Sequence, residues 1–142
     1  MGEERKHERI LAIDYGTKKC GLAATDVLGI AVHPIDTIAT EQLRVWLNTY
    51  LNTEPVSAIV IGRPSHPDGN LMYFDDEILA LKRFLEQKFP AKQILLHDET
   101  FSSAKAKEII FLSGAKKKKR QDKKLIDKIA AVVILQDYLK HY

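Results

Sequence analysis

The chain has 142 residues, 45% of them hydrophobic and 29% charged, with one cysteine. That length supports one compact core, and that composition excludes a disordered, fibrous or collagen-like chain. No run approaches the ~18 consecutive apolar residues of a spanning helix, the charged opening MGEERKHER carries no secretory signal, and Cys20 alone supports neither an internal disulfide nor a zinc site.

A soluble, cytoplasmic protein of one domain over residues 1–142 is therefore expected, without a membrane partner. Residues 1–8 read as a charged, flexible tail. Arg9–Asp14 follows, and its Ile10-Leu11-Ala12-Ile13 run is apolar on both faces, as in a central covered strand. Tyr15–Lys19 reads as a turn and Cys20–Thr25 as a second strand, close enough to pair as an antiparallel hairpin. Ile30–Ile38 is a third strand. Pro34 inside it lacks an N–H and places it at a sheet edge.

Glu41–Leu51 has helical spacing of Leu43, Val45, Trp46, Leu47 and Leu51. Val56–Ile61 is a fourth strand, ended by Gly62. The loop Gly62–Asn70 is dense in turn residues. Phe74–Phe89 is a helix stopped by Pro90, and Gln93–His97 is a fifth strand. Ser102 or Ser103 caps a helix that runs to Ser113, with Gly114 just past its end. Leu125–Leu139 is the last helix. A meander of three strands followed by strands with helical crossovers predicts an α/β fold: a mixed five-stranded sheet with helices on both faces.

Four acidic residues fall where charge needs a reason. Asp14 ends the most buried strand, Asp98 and Glu99 end the fifth, and Asp127 sits in the first turns of the last helix among Ala130, Ala131 and Ile134. Each has a plain alternative: an Asx turn, a helix cap, or a pair with Lys123 or Lys124. Together they can meet at one end of a sheet. Hard oxygen ligands there suit Mg²⁺ or Mn²⁺, and a pair of such ions supports phosphodiester cleavage.

The formal net charge is +3, unevenly spread. Residues 116–124, KKKKRQDKK, hold seven cations and one anion, while the rest has 15 cations against 18 anions. An acidic body with one basic strip points to a polyanionic partner, or else to a solvated loop. The Gly16–Gly21 spacing is not a phosphate loop, because Leu22-Ala23 follows where Lys-Ser/Thr is needed. His97, beside Asp98, reads as packing at a strand end or else as a metal or substrate contact, while Cys20 and Trp46 read as packing.

Ile10–Thr25 (ILAIDYGTKKCGLAAT) resembles the opening of the YqgF/RuvX family. Val60–Asn70 (VIGRPSHPDGN), His97–Ser103 (HDETFSS) and the C-terminal KKKKRQDKKLIDKIAAVVILQDYL are similar to its later segments, in the same order. The resemblance implies an RNase H-like, RuvC-like fold with strand order 3-2-1-4-5. It implies a metal-dependent nuclease of pre-16S ribosomal RNA, acting in ribosome biogenesis on precursor particles, as a monomer or homodimer. The alternative is a resolvase of four-way DNA (Holliday) junctions. The family's acidic trio falls on Asp14, Glu99 and Asp127 as catalytic and metal-binding residues, with Asp98 as an assisting acid. Candidate nucleic-acid contacts are Lys18, Lys19, Arg63, Lys116, Lys117, Lys118, Lys119 and Arg120. Thr100 stands where the family has Arg, Lys19 replaces another Arg, and Arg63 replaces an apolar residue.

Two further readings compete. The I-D-Y-G-T opening also resembles the first phosphate loop of actin-like ATPases and sugar kinases, which enclose a nucleotide between two lobes where 142 residues supply one. A non-catalytic nucleic-acid or ribosome-assembly module would keep the strip and make the acids structural.

Overall fold

In the computed structural model, which describes residues 8–99, 102–117 and 122–140, the apolar run before Asp14 forms the central strand. The tail expected over residues 1–8, except Glu8, lies outside the described residues, as do Thr100, Lys118, Lys119 and Arg120. The strands are β1 (Arg9–Asp14), β2 (Lys19–Thr25), β3 (Val32–Ala39), β4 (Val56–Arg63) and β5 (Gln93–Asp98). The helices are α1 (Leu43–Thr53), α2 (Asp75–Lys88), α3 (Ser102–Leu112) and α4 (Lys123–Lys140). The sheet order is β3-β2-β1-β4-β5, as expected. β1–β2 and β2–β3 are antiparallel, whereas β1–β4 and β4–β5 are parallel.

Most boundaries differ from the sequence reading by one or two residues, and three of the differences have a visible local cause. β3 starts at Val32, because the Asp26 carboxylate accepts the Ile30 and Ala31 amides at 3.0 and 3.3 Å and closes a turn there. α1 starts at Leu43, after a short 3₁₀ turn over Thr40–Gln42. β4 does not end at Gly62 but runs to Arg63, since Gly62 is paired on both sides, with Asp14 and with His97. Pro34 lies in β3 at the sheet edge, as expected of a residue without an N–H donor. Gly114, with φ +80°, follows the end of α3 as expected.

The two sheet faces bury different side chains. Leu11, Ile13, Leu22, Ile59 and Ile61 pack beneath Leu43 and Leu47 of α1 and Ile78, Leu81 and Leu85 of α2. Each such side chain stabilises the fold by about 1.5–3 kcal/mol on burial. The opposite face is floored by small residues, Ala12 and Ala23, with Val60. α4 lies on this floor through Ala131, Ile134, Leu135 and Tyr138, and α3 packs on α4 through Ala106 and Ile110. Among the described residues, no helix is long and apolar enough to cross a membrane.

Candidate active site

Gly21, Asp14, Gly62 and His97 form one row across β2, β1, β4 and β5. Side chains paired across a sheet share a face. Ala12, Val60 and Leu95, each two residues back along its strand, identify it as the face under α4. α4 crosses this row. A Cβ on Gly21 would collide with the Asp127 carbonyl oxygen, and one on Gly62 with Cδ1 of Ile134. At the far end, His97 Nε2 lies 2.8 Å from Asp137 Oδ2. Three strand spacings cover ~14 Å, and ten helical residues rise ~15 Å. The helix thus places Asp127 over β2 and Asp137 at β5.

Asp14 and Asp127 line one cleft. Asp14 is partly buried, and Asp127 is buried. Desolvation, then the charges of Asp127 and Glu99, push the Asp14 carboxyl up to about 7, against the pull of Lys123. Burial also raises the Asp127 carboxyl, while Lys123 and Lys19 lower it. Lys123 Nζ stands 3.9 Å from Asp127 Oδ1. Lys18, Lys19 and Lys123 share the cleft with Tyr15, Pro64, Met72 and Phe74. A Cβ on Gly16 would meet the Lys19 carbonyl, so the turn that brings both lysines to Asp14 needs glycine.

Glu99 follows β5, where its amide donates to the Arg63 carbonyl at 3.1 Å. Its charge reaches Asp14, but its carboxyl sits with His97 and Asp137. Oε2 of Glu99 is 3.9 Å from His97 Nε2. Ligand atoms of His97, Glu99 and Asp137 all lie within 4.8 Å of one another. Burial raises the Glu99 carboxyl first, then a hydrogen bond and charge from Asp137; His97 and Lys105 oppose this. Sequence reasoning missed Asp137, because its meeting with His97 depends on how α4 crosses the sheet.

The other expected residues are placed differently. Asp98 alternates to the α1/α2 side of the sheet, in register with Arg63, and is exposed. Arg63 does not reach into the cleft as a free cation. Its Nε and Nη2 donate to the two oxygens of Asp75 at 2.9 and 2.8 Å. This fork holds the Asp75 carboxyl below its usual range and fastens the start of α2 to the end of β4. Lys116 and Lys117 are exposed, past the end of α3. Trp46 stacks on Tyr50 at 4.7 Å between centroids, so it packs within α1.

A family described as "RuvX: Holliday junction resolvase" matches residues 8–141. The chain belongs to the RuvX family. A relative from Parabacteroides distasonis, described as "Putative pre-16S rRNA nuclease", is 39% identical over 136 residues, covering 93% of this chain and 94% of that one. A Porphyromonas gingivalis relative with the same description is 42% identical over 135 residues, covering 92% and 95%. The structure of T. thermophilus RuvC in complex with Holliday junction substrate superimposes with a TM-score of 0.50 at 18% identity, covering 95% of this chain and 96% of that one. That likeness is one of fold. The RuvX chain therefore has the expected RNase H-like, RuvC-like sheet, with Asp14 at the end of its central strand.

Proposed function

We propose that this protein is a divalent-metal-dependent nuclease that hydrolyses phosphodiester bonds and processes the 5′ end of pre-16S ribosomal RNA in the cytoplasm, acting as one RNase H-like domain. The observation that carries the reading is the pair Asp14 and Asp127, sunk into a lysine-lined cleft of a RuvX-family chain. The relatives described as pre-16S rRNA nucleases supply the substrate.

The residues present fit a hard cation. Asp14 and Asp127 offer oxygen donors in one cleft, and burial raises both carboxyls, so their ionised forms carry a desolvation cost that a bound cation would offset. Asp14, Asp127 and Glu99 are the proposed ligands of Mg²⁺ or Mn²⁺, with Asp98 on the opposite side of the sheet. The bound ion supplies a water of lowered pKa and charge stabilisation at the leaving oxygen. Lys18, Lys19 and Lys123 hold phosphates beside the carboxylates as point charges. Lys116–Arg120 extend that grip along the backbone of the nucleic acid. Arg63 serves by fixing α2 and the loop before it.

The deciding experiment offers precursor 16S rRNA and a four-way DNA junction to the wild-type chain and to Asp14→Asn, with Mg²⁺ and with Mn²⁺. The expected result is metal-dependent cleavage of the RNA, lost in the variant. Cleavage of the junction alone overturns the substrate, and cleavage of neither overturns the nuclease.

A further inference from the structure

Leu71-Met72-Tyr73-Phe74 is a run of four apolar residues, none of them buried. Leu71 is 47% and Tyr73 86% exposed. Met72 and Phe74 are half-buried, with Phe74 against the core, so Leu71 and Tyr73 form the part of the run left to solvent and open to a partner. The loop that carries it is nonetheless tightly built. Ser65 and Leu71 form a β-bridge, the His66 amide donates to the Asn70 carbonyl at 2.7 Å, and the Arg63–Asp75 fork closes the base.

The run adjoins the cleft. Met72 and Phe74 line it with Asp14 and Asp127. The Phe74 ring lies 6.1 Å from that of Tyr15, the residue after Asp14. The Tyr73 ring meets Phe74 edge-on, at 5.2 Å and 87°. Tyr73 is thus braced by Phe74, and Phe74 by Tyr15, which packs against the α1/α2-side core and donates its hydroxyl to Glu77, while most of Tyr73 stays in water. Lysines 18, 19 and 123 supply cations in the same cleft. Tyr73 does not itself line the cleft but sits between Met72 and Phe74, which do. Cations in a cleft and an exposed, braced ring at its margin are the two parts of a site for unpaired nucleotides: charge for phosphate, and a flat face for a base.

We propose that Tyr73 is a stacking platform for an unpaired base of the nucleic acid whose phosphate lies at Asp14 and Asp127. A base inside a duplex has both faces covered by its neighbours, so the platform favours strands with at least one unstacked nucleotide. Tyr73 thereby directs cleavage to unpaired or frayed positions. The inference rests on the functional reading above.

The test measures binding rather than cleavage. In the full chain carrying Asp14→Asn, Tyr73→Ala and Tyr73→Phe are compared for binding to a labelled single-stranded RNA and to a fully paired RNA of equal length. Loss of one base stack corresponds to a weakening of about 5–150-fold. Tyr73→Ala is expected to weaken single-strand binding within that range and duplex binding less than twofold, with Tyr73→Phe near the parent. Single-strand binding unchanged in Tyr73→Ala overturns the inference. So does an equal loss on both RNAs, or a Phe variant as weak as the Ala one. With normal metal-dependent cleavage by the Tyr73→Ala chain carrying Asp14, such results leave the nuclease reading standing. A parent that binds neither RNA overturns both.

Discussion

His97 Nε2 and Asp137 Oδ2 stand 2.8 Å apart, and this contact joins the end of β5 to the last turns of α4. It also sets the surroundings of Glu99, whose carboxyl is raised by burial and then by Asp137. Replacing Asp137 by Asn keeps the shape and removes the charge. The Glu99 proton is then held less tightly, and the acidic limb of cleavage moves to lower pH. The lost charge-assisted bond costs about 1 kcal/mol or a little more, so the fold persists. A pH–rate profile with Mg²⁺ checks this; an unmoved acidic limb would show that Glu99 ionisation does not limit the reaction.

Asp14 links stability to pH in the opposite direction from an ordinary ion-paired aspartate. Its carboxyl rises from the usual 3.8 to about 7 in the folded chain. Between those values the folded state keeps a proton that the unfolded state has released. The stability this contributes is full below about pH 4, falls as pH rises towards 7, and is gone above it. Asn carries no such proton. In the absence of divalent metal, Asp14→Asn is expected to match wild type near pH 4 and to exceed it by on the order of 2–4 kcal/mol above pH 7. Urea unfolding with chelator at three pH values reads the difference. Added Mg²⁺ should stabilise only wild type, by binding its folded state. A constant gap across pH would remove the clustered charge from the account.

How much of this arrangement could be read beforehand depends on the range of the interaction. The hairpin, the edge strand and a mixed five-stranded sheet follow from local patterns: an apolar run before Asp14, Pro34, and helices between later strands; the order 3-2-1-4-5 is implied by the family resemblance rather than by those patterns. Asp14 and Asp127 were legible because a carboxyl on an apolar strand end or helix face needs a cause. Asp137 was not legible, since its meeting with His97 depends on the angle at which α4 crosses the sheet. The Arg63–Asp75 fork was not legible, because nothing in GRPSHPDGN shows that Asp75 folds back to take the guanidinium.

The crossing of α4 makes a prediction of its own. Gly62 and Gly21 both lie beneath the helix, but they meet different obstacles. At Gly62 the obstacle is the Ile134 side chain, chiefly Cδ1. At Gly21 it is the backbone at Asp127 and Lys128. Gly62→Ala is expected to cost about 1–3 kcal/mol through overpacking. Ile134→Val, which deletes Cδ1, should recover part of that cost in the double variant. Gly21→Ala should cost more, and truncating Ile134 should not help, because the helix itself must shift with Asp127. A double-mutant cycle by chemical denaturation measures the coupling. Additive effects at Gly62 and Ile134 would mean that α4 does not press on β4 there.

The basic strip is tested by salt. Lys116 and Lys117 are exposed beyond α3, and the strip continues to α4, whose early turns carry Asp127. A cationic segment there can hold the backbone of a substrate whose scissile phosphate lies at the carboxylates. Lysines read no sequence, so their role is affinity rather than choice of site. Each phosphate that is no longer neutralised by a lysine lowers the slope of log K against log salt by about 0.9 on duplex DNA and about 0.7 on single strands. Changing Lys116, Lys117, Lys118 and Lys119 to Ala is therefore expected to weaken binding to all nucleic acids alike and to flatten the salt dependence. The cleavage rate at saturating substrate should change far less, because Lys18, Lys19 and Lys123 still line the cleft. Titrations at several salt concentrations decide it: an unchanged slope in the quadruple variant would take the strip off the path of the substrate and leave it a solvated connection between α3 and α4.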